Sequence, residues 1–184
     1  KPAGDLDMNE RRFILRYFFM ANWDTMIKPL PRYYALLQDR GMRPDEATLE
    51  RALAQFKTQD YLDLQVLFNL AWFGFKTREE FEGLGELRAK GRDYTEQDKS
   101  LVIQCQQTIL KRLISVYKNL EAIGQLELTT SPFYHPILPL LTDTDIARRS
   151  MPGATLPERF CAPEDARAQG VKALDFHGRL FGQR

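Results

Sequence analysis

Apolar positions recur at helical spacing along most of this chain, and each recurrence is bounded by residues that start or stop helices. Asp7 is placed to cap a segment carrying Phe13, Ile14, Tyr17, Phe18 and Met20, whose wide apolar stripe predicts a well-buried helix. Pro29 and Pro31 interrupt the pattern, yet Pro31 suits the first position of a new helix through Tyr34 and Leu37 that stops at Gly41. A further helix is predicted over residues 45–56. After Thr58, the side chains Tyr61, Leu62, Leu64, Val66, Leu67, Leu70 and Phe73 fall on nearly every side of a helix, which predicts that it lies in the interior. Thr77 and Glu80 have the spacing of a capping box, so a shorter helix is expected from there to about Gly91. The longest helix is predicted from Thr95 to Gly124 through Leu101, Ile109, Leu110, Leu113, Ile114, Tyr117 and Leu120. Pro163 opens a last one that carries Val171, Leu174, Phe176 and Leu180 and ends at Gly182.

The period changes only once, after Gly124. Residues 125–131 alternate polar and apolar until Pro132 ends the pattern, which predicts a strand. The fold class is therefore mainly α with one principal strand. A lone strand leaves its own donors and acceptors without partners, so either it pairs with further strands that the pattern does not reveal or its neighbours lie elsewhere in a longer polypeptide. The order of long helix, strand, proline-punctuated loop and helix fits a βαβ-type architecture in which another strand follows. The chain opens at Lys1-Pro2 without a methionine, in keeping with that expectation. Residues 1–184 are accordingly expected to be one incomplete domain segment: a helical part over 1–123, then strand, functional loop and helix over 124–184.

Composition narrows the partners. Hydrophobic residues make up 43% and charged residues 28% of 184, an ordinary globular mixture able to bury a core. The 26 Lys and Arg nearly cancel the 25 Asp and Glu, leaving +1, so there is no excess positive field for a nucleic-acid backbone. No apolar run reaches the ~20 residues of a membrane span, and no signal-peptide pattern opens the chain, so a cytoplasmic location is expected. Cys105 and Cys161 belong to no C-x-x-C pair, and Cys105 is expected in the core. Two histidines make a metal cluster a poor expectation, and no cofactor motif is present.

The stretch Gly124-Gln125-Leu126-Glu127-Leu128 resembles the second short signature region of glycoside hydrolase family 57, and its continuation TTSPFYHPILPLL, residues 129–141, is similar to amylase-like members. The likeness extends upstream through FFMANWDTMIKPLPRYYALL, residues 18–37, and DLQVLFNLAWFG, residues 63–74. The resemblance implies part of a (β/α)7 barrel in an amylase or glucanotransferase that acts on α-1,4-linked glucans with retention of configuration. The substrate is then an α-glucan or maltooligosaccharide, and the remaining barrel segments are partners within the same polypeptide. The family's His-Gln-Pro signature is absent, and no carboxylate here matches its catalytic Glu and Asp. Those residues are expected outside the chain, which would then be inactive alone.

Five residues are candidates for the substrate wall. Barrel active sites form at the C-terminal ends of strands, here residues 130–135, and alternation puts Leu126 and Leu128 on the helix-facing side with Glu127, Thr129 and Ser131 inward. Glu127 either accepts from sugar hydroxyls and positions a catalytic group, or is tied to a backbone or Arg partner inside the barrel. Tyr134 and His135 occupy the loop beyond, where an imidazole can bind a substrate hydroxyl or serve a structural role. His177, on a helix beside Phe176, reads as a surface or half-buried residue. Trp23 and Trp72 offer flat faces that can stack on sugar rings, with Asn22 and Asn69 as amide donors nearby, although aromatics in helical stripes commonly belong to a core. The resemblance favours Asn69 and Trp72. The competing class is a non-enzymatic helical module that presents a groove to a partner helix.

Overall fold

The computed structural model describes residues 1–182 and is mainly helical. Nine α-helices follow one another: α1 (Met8–Tyr17), α2 (Pro31–Arg40), α3 (Glu46–Gln55), α4 (Thr58–Ala71), α5 (Phe75–Glu80), α6 (Glu82–Lys90), α7 (Glu96–Ala122), α8 (Leu138–Thr142) and α9 (Pro163–Phe181), counted among the described residues. Short 3₁₀ turns cover Ala3–Asp5 and Thr144–Arg149, and a π-helical turn covers Trp23–Ile27. The chain divides into two compact units, Lys1–Leu110 and Lys111–Arg184.

In the first unit the helix boundaries follow their end chemistry. The Asp7 carboxylate accepts from the Asn9 and Glu10 amides while Glu10 accepts from Asp7 N, closing a capping box at the start of α1. Thr95 and Asp98 make the same reciprocal pair at the start of α7. Pro31 is the first residue of α2, which ends at Gly41 with φ +97°, where a Cβ would stand 2.8 Å from Thr48 Cγ2. The core is built around α4, whose Tyr61, Leu62, Leu64, Val66, Leu67 and Leu70 are all buried. Leu15, Ile27, Leu36, Leu37, Leu49 and Leu84 pack into the same cluster, and Cys105 is buried with them.

Three expectations are corrected here. Helix α1 is not deeply buried: Ile14 and Leu15 face inward, while Phe13 and Tyr17 are exposed, as is Met20 just beyond its end. Its wide stripe is amphipathic with an aromatic flank, along which Phe13 and Tyr17 contact each other at 4.7 Å. The single helix expected from Thr77 to Gly91 is two, because Phe81 takes an extended conformation between α5 and α6. Gly74, also extended, fills the N-cap place of α5 and leaves Thr77 inside it, so the expected capping box does not form.

The third correction concerns the strand. Residues 125–131 run without regular structure, and no strand occurs among the described residues. The alternation is present in exposure, with Leu126 and Leu128 half-buried and Glu127 and Thr129 exposed. What is lacking is a second extended segment to supply ladder hydrogen bonds, without which an alternating pattern cannot become a sheet.

Candidate functional site

Residues 132–135 are held against α9 by a small set of directed contacts. Gln169 accepts twice, its main-chain oxygen from Phe133 N at 3.2 Å and its side-chain oxygen from Tyr134 N at 2.9 Å. Lys172, three residues further along the helix, donates to the Tyr134 hydroxyl at 3.1 Å. Its ammonium also lies 4.3 Å from the Phe133 ring centre and 4.7 Å from that of Tyr134, a cation–π geometry. Phe133 meets Phe176 edge-on at 5.6 Å. Sequence reasoning gave no role to Gln169 or Lys172, because their function depends on a loop about 35 residues earlier that only the fold brings to them.

The next residue, His135, has φ +54°, a left-handed conformation that costs a non-glycine residue about 1–3 kcal/mol and is commonest at functional turns. Its amide donates to the Pro132 carbonyl at 2.8 Å, closing the turn, and its side chain is exposed. Tyr134 is 70% exposed. Glu127 is exposed as well and forms no ion pair among the described residues. The turn therefore presents Tyr134 and His135 outward on a backbone braced from beneath. Leu128 and Thr130 line a separate cleft of about 660 Å³ with Val171, Leu174 and His177. His177 is half-buried, and its Nε2 has no hydrogen-bond partner.

In the first unit, Asn69 and Trp72 lie one turn apart at the end of α4. The Asn69 amide nitrogen donates to the Gln65 carbonyl at 2.8 Å, and its oxygen accepts from Gln106 at 3.0 Å, so the side chain ties α4 to α7. It lines a polar cleft of about 440 Å³ with Gln65, Lys99, Gln104 and Gln107. Trp72 is 58% exposed and stands edge-on to Phe68, which in turn stacks on Phe18 at 4.5 Å. The two residues share a helix face but not a cleft.

The same unit holds a charge cluster that the sequence pattern hid. Asp63 is fully buried: one oxygen accepts from Gln59 Nε2 at 2.9 Å and Tyr94 N at 3.0 Å, the other from Arg32 Nε at 2.9 Å. Asp60 binds the same guanidinium. With its acceptor positions occupied, this pair of carboxylates is built to join α2, α4 and the chain before α7, not to exchange protons with a substrate.

A family model, glycosyl hydrolase family 57, matches residues 8–160. The match covers most of the chain. The chain belongs to glycosyl hydrolase family 57. No curated protein and no solved structure matches it. Membership fixes the general chemistry as that of carbohydrate-active enzymes, and both the braced turn and the end of α4 fall within the matched residues. As a family 57 chain it has no helix long and apolar enough to cross a membrane among the described residues.

Proposed function

We propose that this family 57 chain is a segment of a retaining enzyme acting on α-1,4-linked glucans, of amylase or glucanotransferase type, and that it supplies substrate contacts rather than the catalytic pair. The observation that carries the reading is His135, held left-handed and exposed in a turn that Gln169 braces through two successive amides. Such a turn fixes where an imidazole meets a sugar hydroxyl without spending substrate binding energy on ordering the loop. Tyr134 and Glu127 are assigned as further contacts on that side. Asn69 and Trp72 are assigned in the first unit, Trp72 by its open indole face and Asn69 by the amide hydrogen and lone pair its internal bonds leave.

In a retaining mechanism one carboxylate attacks the anomeric carbon while a second carboxyl group, ~5–5.5 Å away, protonates the leaving oxygen. We assign that pair to residues outside this chain. Residues 125–131 then become a barrel strand when the remaining segments provide ladder partners, with Glu127 on the inward face. Family membership argues against the competing helical interaction module.

The test is made in the full-length enzyme with maltoheptaose as substrate. His135→Ala should lower kcat/KM by about tenfold, the scale of one hydrogen bond of ~1.5 kcal/mol made in the transition state, with the melting temperature unchanged. Unaltered kinetics would remove His135 from the site. The 184-residue chain alone should release no reducing sugar from soluble starch.

A further inference from the structure

Lys172, on the exposed side of α9, has contacts that neither the helix nor a neighbouring acid explains. Among the described residues its ammonium pairs with no carboxylate: Asp175, one helical turn further on, is held by Arg179 at 3.0 Å. The contacts it does make are with the turn, a hydrogen bond to the Tyr134 hydroxyl at 3.1 Å and a place over the rings of Phe133 and Tyr134, 4.3 and 4.7 Å from their centres. Tyr134 is kept beside it from two directions. Gln169 accepts from the Tyr134 amide at 2.9 Å, and Phe133 meets both Tyr134 and Phe176 edge-on, at 4.9 and 5.6 Å, which ties the aromatic pair to the helix.

An ammonium has three hydrogens to donate and no lone pair, so toward the phenol oxygen it acts only as a donor. The single phenolic hydrogen therefore points away from Lys172, on a side chain that is 70% exposed. Donation from a cation also polarises the O–H bond and strengthens the hydrogen bond which that hydrogen makes in turn. The hydroxyl is thus prepared to donate to an incoming acceptor, which it would not be if a carboxylate beneath it took the phenolic hydrogen.

We propose that Lys172 is a positioning residue, which sets the Tyr134 hydroxyl as a hydrogen-bond donor and so selects for a saccharide oxygen with a free lone pair at that place. This role rests on the turn being a substrate contact, as proposed above, whereas the polarity of the hydroxyl rests on the placement of Lys172 alone.

Charge reversal at position 172 tests the role in the full-length enzyme with maltoheptaose. In Lys172→Glu a carboxylate can take the phenolic hydrogen and leave the substrate facing a lone pair, so kcat/KM should fall about tenfold, as in Tyr134→Phe. Lys172→Arg, which still donates, should recover most of that loss. In the Tyr134→Phe background Lys172→Glu should cost nothing further, because the hydroxyl through which it acts is gone. Melting temperature and far-ultraviolet circular dichroism should stay at wild-type values throughout, since the side chain at 172 is exposed. Lys172→Glu with wild-type kinetics beside an impaired Tyr134→Phe, or a full tenfold further loss in the Tyr134→Phe background, would overturn the role of Lys172 and leave the turn at the substrate. Wild-type kinetics in Tyr134→Phe would also overturn it, and if His135→Ala were equally unaffected the turn itself would leave the site.

Discussion

Asp63 shows how one residue can carry more structure than its neighbours in sequence suggest. It is sealed from solvent within the most apolar helix and unites Arg32, Gln59 and the backbone before α7. Its ionised form is tolerated because each oxygen is hydrogen-bonded and a guanidinium lies beside it. Asp63→Ala leaves Arg32 Nε and the buried Tyr94 amide without their acceptor while Asp60 still pairs the guanidinium, and should lower unfolding free energy by about 2 kcal/mol, measured by urea denaturation. A loss below about 1 kcal/mol would mean that solvent replaces these contacts freely. The acid stands openly in the run Tyr-Leu-Asp-Leu-Gln-Val-Leu-Phe. Its role was not legible there, because helical period shows that an acid faces the core but not what meets it. Arg40 was hidden for the same reason: the last residue of a helix before a glycine reads as a favourable cation at a C-terminus, and only the fold shows that it turns inward. Among the candidates, the exposure of His135 and Tyr134 agrees with their reading as loop residues, whereas the bracing by Gln169 and Lys172 has no signature within the loop itself.

Among the elements, the helices with strong ends were the legible ones. Asp7, Pro31, Asp45, Thr95 and Pro163 each mark a start that the structure contains, since caps and prolines act on the backbone next to them. The break at Phe81 and the irregular path of residues 125–131 were not legible, because local period shows neither where a helix is interrupted nor whether an alternating stretch finds a ladder partner. The packing of α2, α4 and the start of α7 has a titratable consequence. Tyr33, Tyr61 and Tyr94 are fully buried, and desolvation raises all three hydroxyls above their ordinary value of 10.0, Tyr61 and Tyr94 to about 12. A group whose folded pKa is raised adds stability that is fully present below its unfolded value and is lost as pH rises through the folded one. Stability should thus be flat with respect to these groups up to about pH 10 and fall steeply between about 10 and 12. Spectrophotometric titration should show three of the seven tyrosines ionising late and together with loss of helical signal. Seven tyrosines titrating near their ordinary value with helicity intact would contradict this packing.

For the molecule as a whole, burial is divided very unevenly. Among the described residues, every buried hydrophobic one but Ala173 lies in Lys1–Leu110, while the second unit leaves Leu113, Val116, Tyr117, Ile137, Val171, Leu174 and Phe176 exposed. The mainly α character could be read from helical period, since local spacing sets it; the barrel implied by the family likeness could not appear without the strands that would close it. A unit with so little apolar burial has little free energy to set against its chain entropy, so the two parts should not melt as one. Tryptophan emission should follow the first unit only, as both indoles reside there, whereas far-ultraviolet circular dichroism sums all helices. The two thermal curves should therefore separate, the dichroism beginning to fall first; exact coincidence would disprove the division. The pair of indoles in the first unit is, by its location, a thermometer for one half of the polypeptide, and a single midpoint taken from its fluorescence would overstate the cooperativity of the rest.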